Sequence, residues 1–241
     1  MNLNHTHLPL WLENLWLFRK FFLTRKLFIT RNRFSHYSQM GEDIVLKKWF
    51  PKKYKGFFVD VGCFHPIKYN NTYYFYKRGW RGINIDIDSI KIEGFDLVRR
   101  KDTNVNCAVS NQDGEVTYWT NGFYTPTVTL DRAFAESKEG KKYQYRAKKT
   151  QAKTLTTIID ETKYKNKPID LLSIDVEGHD FEVLKSLDFE RYSPSVITIE
   201  SQLEKFKDVQ QAEEYVFLLN KGYDFINWVG MTLIFKKPQK I

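Results

Sequence analysis

The sequence predicts a doubly wound α/β domain with a mostly parallel sheet, a C-terminal antiparallel hairpin and an N-terminal helical arm. Two observations carry this. From Gly56 onward, short apolar runs of strand length alternate with stretches of helical periodicity, the pattern of a parallel sheet covered on both faces. The 241 residues, 42% of them hydrophobic and 16% aromatic, are enough to bury one such core.

The elements follow in chain order. Residues 1–36 form the arm, in which Trp11, Leu15, Phe18 and Phe22 recur at helical spacing. Charges interrupt the run too often for a membrane span, and an uncharged start without a small-residue cleavage site disfavours a signal peptide. The arm is expected to dock on the domain or a second copy, or to lie on an anionic bilayer. Residues 37–241 form the domain. Within it, 57–62 (FFVDVG) is a buried strand ending in a turn, and 82–88 (GINIDID) alternates as a second. Residues 104–110 are a third strand, and 115–119 extend the same sheet after the Asp113-Gly114 turn. Residues 169–176 are a fourth core strand, followed by a helix carrying Phe181, Val183, Leu184 and Leu187, and 195–200 are a fifth. Val209, Ala212, Val216 and Leu219 mark the apolar stripe of a further helix, and 223–229 with 231–235 close the chain as a hairpin around Gly230. Residues 120–153, with Gly122, Pro126, Gly140 and a basic run, read as an irregular insertion of substrate-lid type.

The net charge of +9 is localised. The arm holds six basic residues (Arg19, Lys20, Arg25, Lys26, Arg31, Arg33) against Glu13, and 138–153 holds seven (Lys138, Lys141, Lys142, Arg146, Lys148, Lys149, Lys153) against Glu139. The rest is slightly acidic, which disfavours a nucleic-acid partner and fits an anionic small-molecule or glycan acceptor, or a membrane surface touched at one edge. Cys63 and Cys107 belong to no CxxC pair and read as packing residues in a reducing cytosol. The expected location is therefore cytoplasmic, with the inner membrane face as a site of peripheral contact.

In open α/β sheets ligands bind beyond the carboxyl ends of the strands, at the switch point. The turn Asp60-Val61-Gly62-Cys63-Phe64-His65-Pro66 is expected there, with Gly62 admitting close backbone approach and Asp60 able to accept from an ammonium group. No GxGxxG is present, which disfavours a dinucleotide. Asp86 ends the second strand, where a carboxylate would take both ribose hydroxyls; the bland alternative is a capping Asp60 and a solvated Asp86. The fourth strand ends in Asp175-Val176-Glu177-Gly178-His179-Asp180, too many ionisable groups for helix capping alone. Glu200 ends the adjacent strand, so Asp175 and Glu200 could supply a general base, or a divalent cation site as a minority reading. His65 and His179 fall on the same side, and the tyrosines from Tyr69 to Tyr76 are expected to pack a helix beneath the turn.

Taken together, Ser38-Gln39-Met40-Gly41-Glu42-Asp43, Val59-Asp60-Val61-Gly62, Asn70-Asn71-Thr72, Gly79-Trp80-Arg81-Gly82 leading to Asp86, and Ile174-Asp175-Val176-Glu177-Gly178-His179-Asp180 resemble the FkbM-type family of S-adenosylmethionine-dependent methyltransferases. The resemblance runs from about Ser38 to Phe235. It implies a Rossmann-like, class I methyltransferase domain, in which a terminal hairpin is usual, and methyl transfer from S-adenosyl-L-methionine, often to a hydroxyl. It also implies that Gln39, Asp43, Asp60, Gly62, Asn71 and Thr72 surround the methionine part and Asp86 the ribose. The stretch from Asn106 to Ala108 would line the adenine, and Asp175 and Glu177 would face the acceptor, with His179 the alternative base. The sequence departs from the family in having His65-Pro66 where many members have a second glycine, and Asp86 where glutamate is common. The competing expectations are an RNA methyltransferase using the two basic segments, and a catalytically inactive scaffold or membrane-surface protein of the same fold.

Overall fold

The computed structural model describes residues 9–29, 36–130, 132–137 and 140–238. Of the basic residues singled out above, Arg31, Arg33 and Lys138 lie outside the described residues, as do the arm's first eight residues. Eleven strands follow one another among the described residues: β1 (Phe57–Val61), β2 (Arg81–Asp86), β3 (Thr103–Asn106), β4 (Ala108–Val109), β5 (Gly114–Thr120), β6 (Val128–Thr129), β7 (Arg146–Lys153), β8 (Leu171–Ile174), β9 (Val196–Glu200), β10 (Asp224–Val229) and β11 (Thr232–Lys236).

Seven of them form the main sheet in the order β10-β11-β9-β8-β1-β2-β3. The pairs from β9 through β8, β1 and β2 to β3 are parallel, whereas β11 runs antiparallel to both β9 and β10. The chain leaves β1 toward β2 and β3, then returns to β8 on the other side, which opens the switch-point crevice beyond the ends of β1 and β8. Every residue of β1, β8 and β9 is buried, so side-chain alternation feeds two cores. Phe57, Val59, Val61, Leu172, Ile174, Ile197 and Ile199 pack on one face with Leu155, Ile159, Val183 and Leu184. Phe58, Leu171, Val196 and Ile234 pack on the other with Leu46, Phe75 and Trp80. Each of these large side chains contributes roughly 1.5–3 kcal/mol by leaving water.

The sequence expectation differs from the structure at three places. The strand expected over 104–110 breaks at Cys107, and its second half, β4, joins another sheet. The run 115–119 does not extend the main sheet: β5 pairs antiparallel with β7, in a four-stranded sheet ordered β4-β7-β5-β6. Alternation marks a strand but not its partner, and the partner here, RAKKTQAK, reads in sequence as a charged loop. The helical stripe after β9 also shifts. A short 3-10 segment (Phe206–Gln211) buries Val209, and in the helix Glu213–Asn220 it is Leu218 that is buried, while Val216 and Leu219 are exposed.

The arm docks on the domain. Its helix Trp16–Thr24 continues into a wider turn, Arg25–Ile29, and buries Phe22, Leu23 and Leu27 against Ile90, Phe123 and Tyr124. Phe22 meets Phe123 edge-on at 4.9 Å between centroids, and Arg19 pairs with Glu93. Trp16, Leu17 and Phe21 of this helix stay exposed, as does Trp11 in the short helix Leu10–Glu13 before it. No described helix is long and apolar enough to cross a membrane.

Candidate active site

A cavity of about 670 Å³ occupies the switch-point crevice, lined by the ends of β1, β2 and β8, the 62–69 turn, residues 107–109 and 124–130, and Lys26 of the arm. Its size falls within the ~300–1,000 Å³ typical of small-molecule sites.

The β1 turn is built for close approach. Gly62 has φ +76°, and a Cβ there would lie 1.6 Å from the Asp175 carbonyl oxygen. The Gly62 and Cys63 amides donate to Ile85 O at 2.9 and 3.1 Å, and the Asp175 amide donates to Val61 O at 3.0 Å, so the three strand ends are pinned together. Asp86, at the tip of β2, accepts from the Phe64 and Asp88 amides at 3.0 and 2.9 Å. Lys91 Nζ stands 3.4 Å from it. Burial alone would lower Lys91, but Asp86 and Asp88 outweigh it and hold the ammonium above its ordinary pKa.

The β8 turn carries the acids. Asp180 accepts from the Val176 and Gly178 amides, both at 3.0 Å, and so shapes the turn rather than facing the cavity. That turn puts Glu177 at φ +57° and onto the cavity wall, where burial raises its carboxyl and Lys91 opposes the rise. Asp175 lines the cavity too, beside Glu200 at the tip of β9. Burial, and then the neighbouring Glu200 carboxylate, push Asp175 well above the usual carboxylate range. Burial, with Glu177 and Asp180 nearby, pushes Glu200 up to about 8. Two adjacent buried carboxylates do not both ionise, so the pair retains a proton at neutral pH. Glu200 Oε2 has no hydrogen-bond partner.

Of the residues singled out in sequence as facing the ligand, the structure brings Gln39, Gly62, His65, Asp86, Cys107, Ala108, Asp175 and Glu177 to the cavity wall. The others stand behind it or apart. Asp43 accepts from the Tyr37 amide and Ser38 hydroxyl, both at 2.8 Å, folding the turn that presents Gln39. Asp60 accepts from Asn70 Nδ2 at 2.9 Å and Thr72 Oγ1 at 2.7 Å. Asn71 donates to Ser173 at 3.2 Å, and Asn106 clamps the carbonyls of Asp86 and Ile87 at 3.0 and 2.9 Å. His179 sits 3.3 Å from Ser110 Oγ, outside the cavity lining, with its pKa lowered by burial. Among the described residues, no group of three or more His, Cys, Asp or Glu is arranged to hold a metal ion.

Sequence reasoning passed over Arg99, which is fully buried. It donates to Thr72 Oγ1, Asn84 Oδ1, Asn70 Oδ1 and Pro66 O at 2.6–3.0 Å, supplying the countercharge for Asp60 and the frame beneath the β1 turn. Lys26, Lys68, Lys91 and Tyr124 were missed as well. In the basic segment, by contrast, three lysines are taken up in ion pairs: Lys148 with Glu13, Lys149 with Glu115 and Lys153 with Glu161.

A mostly parallel sheet with an antiparallel hairpin at one edge defines a methyltransferase-type fold, with a cavity at its switch point ringed by a tight glycine turn and strand-end carboxylates. The chain belongs to the methyltransferase FkbM domain family, whose domain matches residues 60–225. Among solved structures, the methyltransferase FkbM of Methylobacillus flagellatus is similar at 13% identity and a TM-score of 0.46, covering 76% of this chain and 43% of its own. The chain thus spans less than half the length of that protein. A TehB-like SAM-dependent methyltransferase of Corynebacterium glutamicum is similar at 13% identity and a TM-score of 0.44, covering 91% of this chain and 98% of its own. No curated protein matches the sequence.

Proposed function

We propose that the chain transfers a methyl group from S-adenosyl-L-methionine to an oxygen, either a hydroxyl or an acidic oxygen, on a sugar, glycan or other small anionic acceptor. The observation that carries this reading is Asp175, set with Glu177 in the same cavity as Asp86 and the Gly62 turn and holding a proton with the buried Glu200 behind it.

The residues present fit the cofactor. Gly62 leaves the space a Cβ would fill, and Asp86 keeps further lone pairs for two ribose hydroxyls after its backbone bonds. Ile87, Ala108, Val109 and Val128 offer an apolar wall for a base. When bound, the sulfonium supplies an electrophilic methyl group for in-line displacement. The chain's share is alignment and proton removal. Glu177, turned inward by Asp180, is placed to hold the acceptor hydroxyl. The Asp175–Glu200 pair receives its proton, and its raised proton affinity makes it a stronger base than an exposed carboxylate. Because the pair opens a carboxylate only as it titrates, the rate should rise with pH toward 8.

The test is methyl incorporation from labelled S-adenosyl-L-methionine into a panel of sugar phosphates and uronic-acid oligosaccharides. Asp175→Asn is expected to lower turnover by about 10²–10⁴-fold, the usual range for a lost proton acceptor. Wild-type turnover in that variant would remove the pair from the mechanism.

A further inference from the structure

The arm's helix Trp16–Thr24 has two sides in different surroundings. By helical periodicity, Phe18, Arg19, Phe22 and Leu23 fall together on the side toward the domain, whereas Trp16, Leu17, Lys20, Phe21 and Thr24 share the opposite arc. On that arc Trp16, Leu17 and Phe21 are 65%, 67% and 68% exposed, an apolar display of the kind that marks an interaction surface. Lys20 lies among them, and Arg25 follows, exposed, at the helix end. The arc itself carries no carboxylate. Glu13, the arm's one acid, is buried 3.6 Å from Lys148, and Arg19 on the docked side takes Glu93. The Lys148–Glu13 pair also joins β7 to the start of the arm, where Trp11 is exposed. Arg146, two residues from Lys148 and on the same face of that strand, is exposed as well. This side of the arm therefore offers a partner aromatic rings with cations among them.

Charge separates the two occupants that such a surface fits. A two-fold pairing with a second copy would set the same patch against itself, bringing Lys20 and Arg25 toward their own counterparts. An anionic bilayer complements both components, since Trp and Phe rings settle at the boundary of headgroups and acyl chains while Lys and Arg reach the lipid phosphates. We propose that Trp16, Leu17, Lys20, Phe21 and Arg25 dock the chain on an anionic lipid surface, while the other side of the same helix stays packed on the domain. Phe22, on the packed side, meets Tyr124 at 5.8 Å between centroids, and Tyr124 lines the cavity. A docked chain thus holds its cavity roughly one helix diameter, 10–12 Å, from the headgroups.

The test is flotation of the full chain with vesicles of phosphatidylcholine alone and of phosphatidylcholine mixed with phosphatidylglycerol. The chain is expected to float with the mixed vesicles, with its tryptophan emission shifted to the blue, and binding should weaken at least tenfold in Trp16→Ser/Phe21→Ser. Lys20→Gln/Arg25→Gln should lose most of the preference for the anionic vesicles. These substitutions leave the packed side of the helix intact, so both variants are expected to keep the wild-type melting temperature, which separates lost docking from lost folding. No flotation of the wild type, equal binding to neutral and anionic vesicles, or undiminished flotation of folded Trp16→Ser/Phe21→Ser would overturn the proposal. So would a monomer–dimer equilibrium in sedimentation, without flotation, that the same substitutions abolish, since it assigns the face to a second copy. Because flotation needs neither cofactor nor turnover, it stands or falls separately from methyl transfer.

Discussion

Alanine at Gly62 is expected to destabilise the domain by about 3 kcal/mol or more and to abolish S-adenosylhomocysteine binding. The added Cβ would lie 1.6 Å from the Asp175 carbonyl oxygen and 2.6 Å from its carbon, and neither is a flexible side-chain tip. Relief requires the ends of β1 and β8 to part, which breaks the 3.0 Å bond from the Asp175 amide to Val61 O and moves the Asp175–Glu200 pair. Gly178 provides the control. It has φ +94° but nothing within 4 Å of where a Cβ would sit, so Gly178→Ala carries only the left-handed strain of about 1–2 kcal/mol. Denaturant unfolding of both variants separates clash from strain. Equal losses in the two would show that the Gly62 contact yields easily, and the account of the turn would fail.

Glu200→Gln is expected to raise stability at pH 9 and to flatten the pH dependence of unfolding. Glu200 has an ordinary pKa near 4.5 when unfolded and about 8 when folded, because burial and its acidic neighbours disfavour its charge. Between those values the folded state binds more protons than the unfolded one, so stability falls as pH rises from about 4.5 to 8. The penalty is largest above pH 8, on the order of a few kcal/mol, and glutamine removes it. Melting temperatures from pH 5 to 9 provide the measurement, and a parallel decline in the variant would place the titrating group elsewhere. The same titration has opposite consequences for activity and stability. In the proposed mechanism, the pH that opens the Asp175–Glu200 pair for proton transfer is the pH at which the buried pair becomes most costly.

The core strands were legible because burial on both faces leaves continuous or alternating apolar runs, as in 57–62 and 195–200. The second sheet was not, since β7 carries Lys148, Lys149 and Lys153 and its burial is confined mainly to Ala152. At the site, strand ends located Gly62, Asp86, Asp175 and Glu177 on the cavity, because position at the switch point follows from topology. The direction in which a side chain leaves its strand is harder to read. Asp60 lies within β1 and turns to Asn70 and Thr72, and Asn71 turns to Ser173. Arg99 was illegible for another reason. An arginine ending a helix normally reads as a solvated cap, and only the countercharge that a buried Asp60 demands could have pointed to it. Lys26 entered the site through tertiary docking of the arm, which no local pattern encodes.

The central claim, that this cavity holds S-adenosyl-L-methionine, is tested most directly by calorimetric titration of the full chain with S-adenosylhomocysteine, beside an Asp86→Ala variant. The account predicts one site of micromolar affinity in the wild type, weakened at least tenfold when the Asp86 carboxylate proposed to hold the ribose is removed. A folded wild-type protein that binds no S-adenosylhomocysteine, or an Asp86→Ala variant that binds it equally well, would contradict the account.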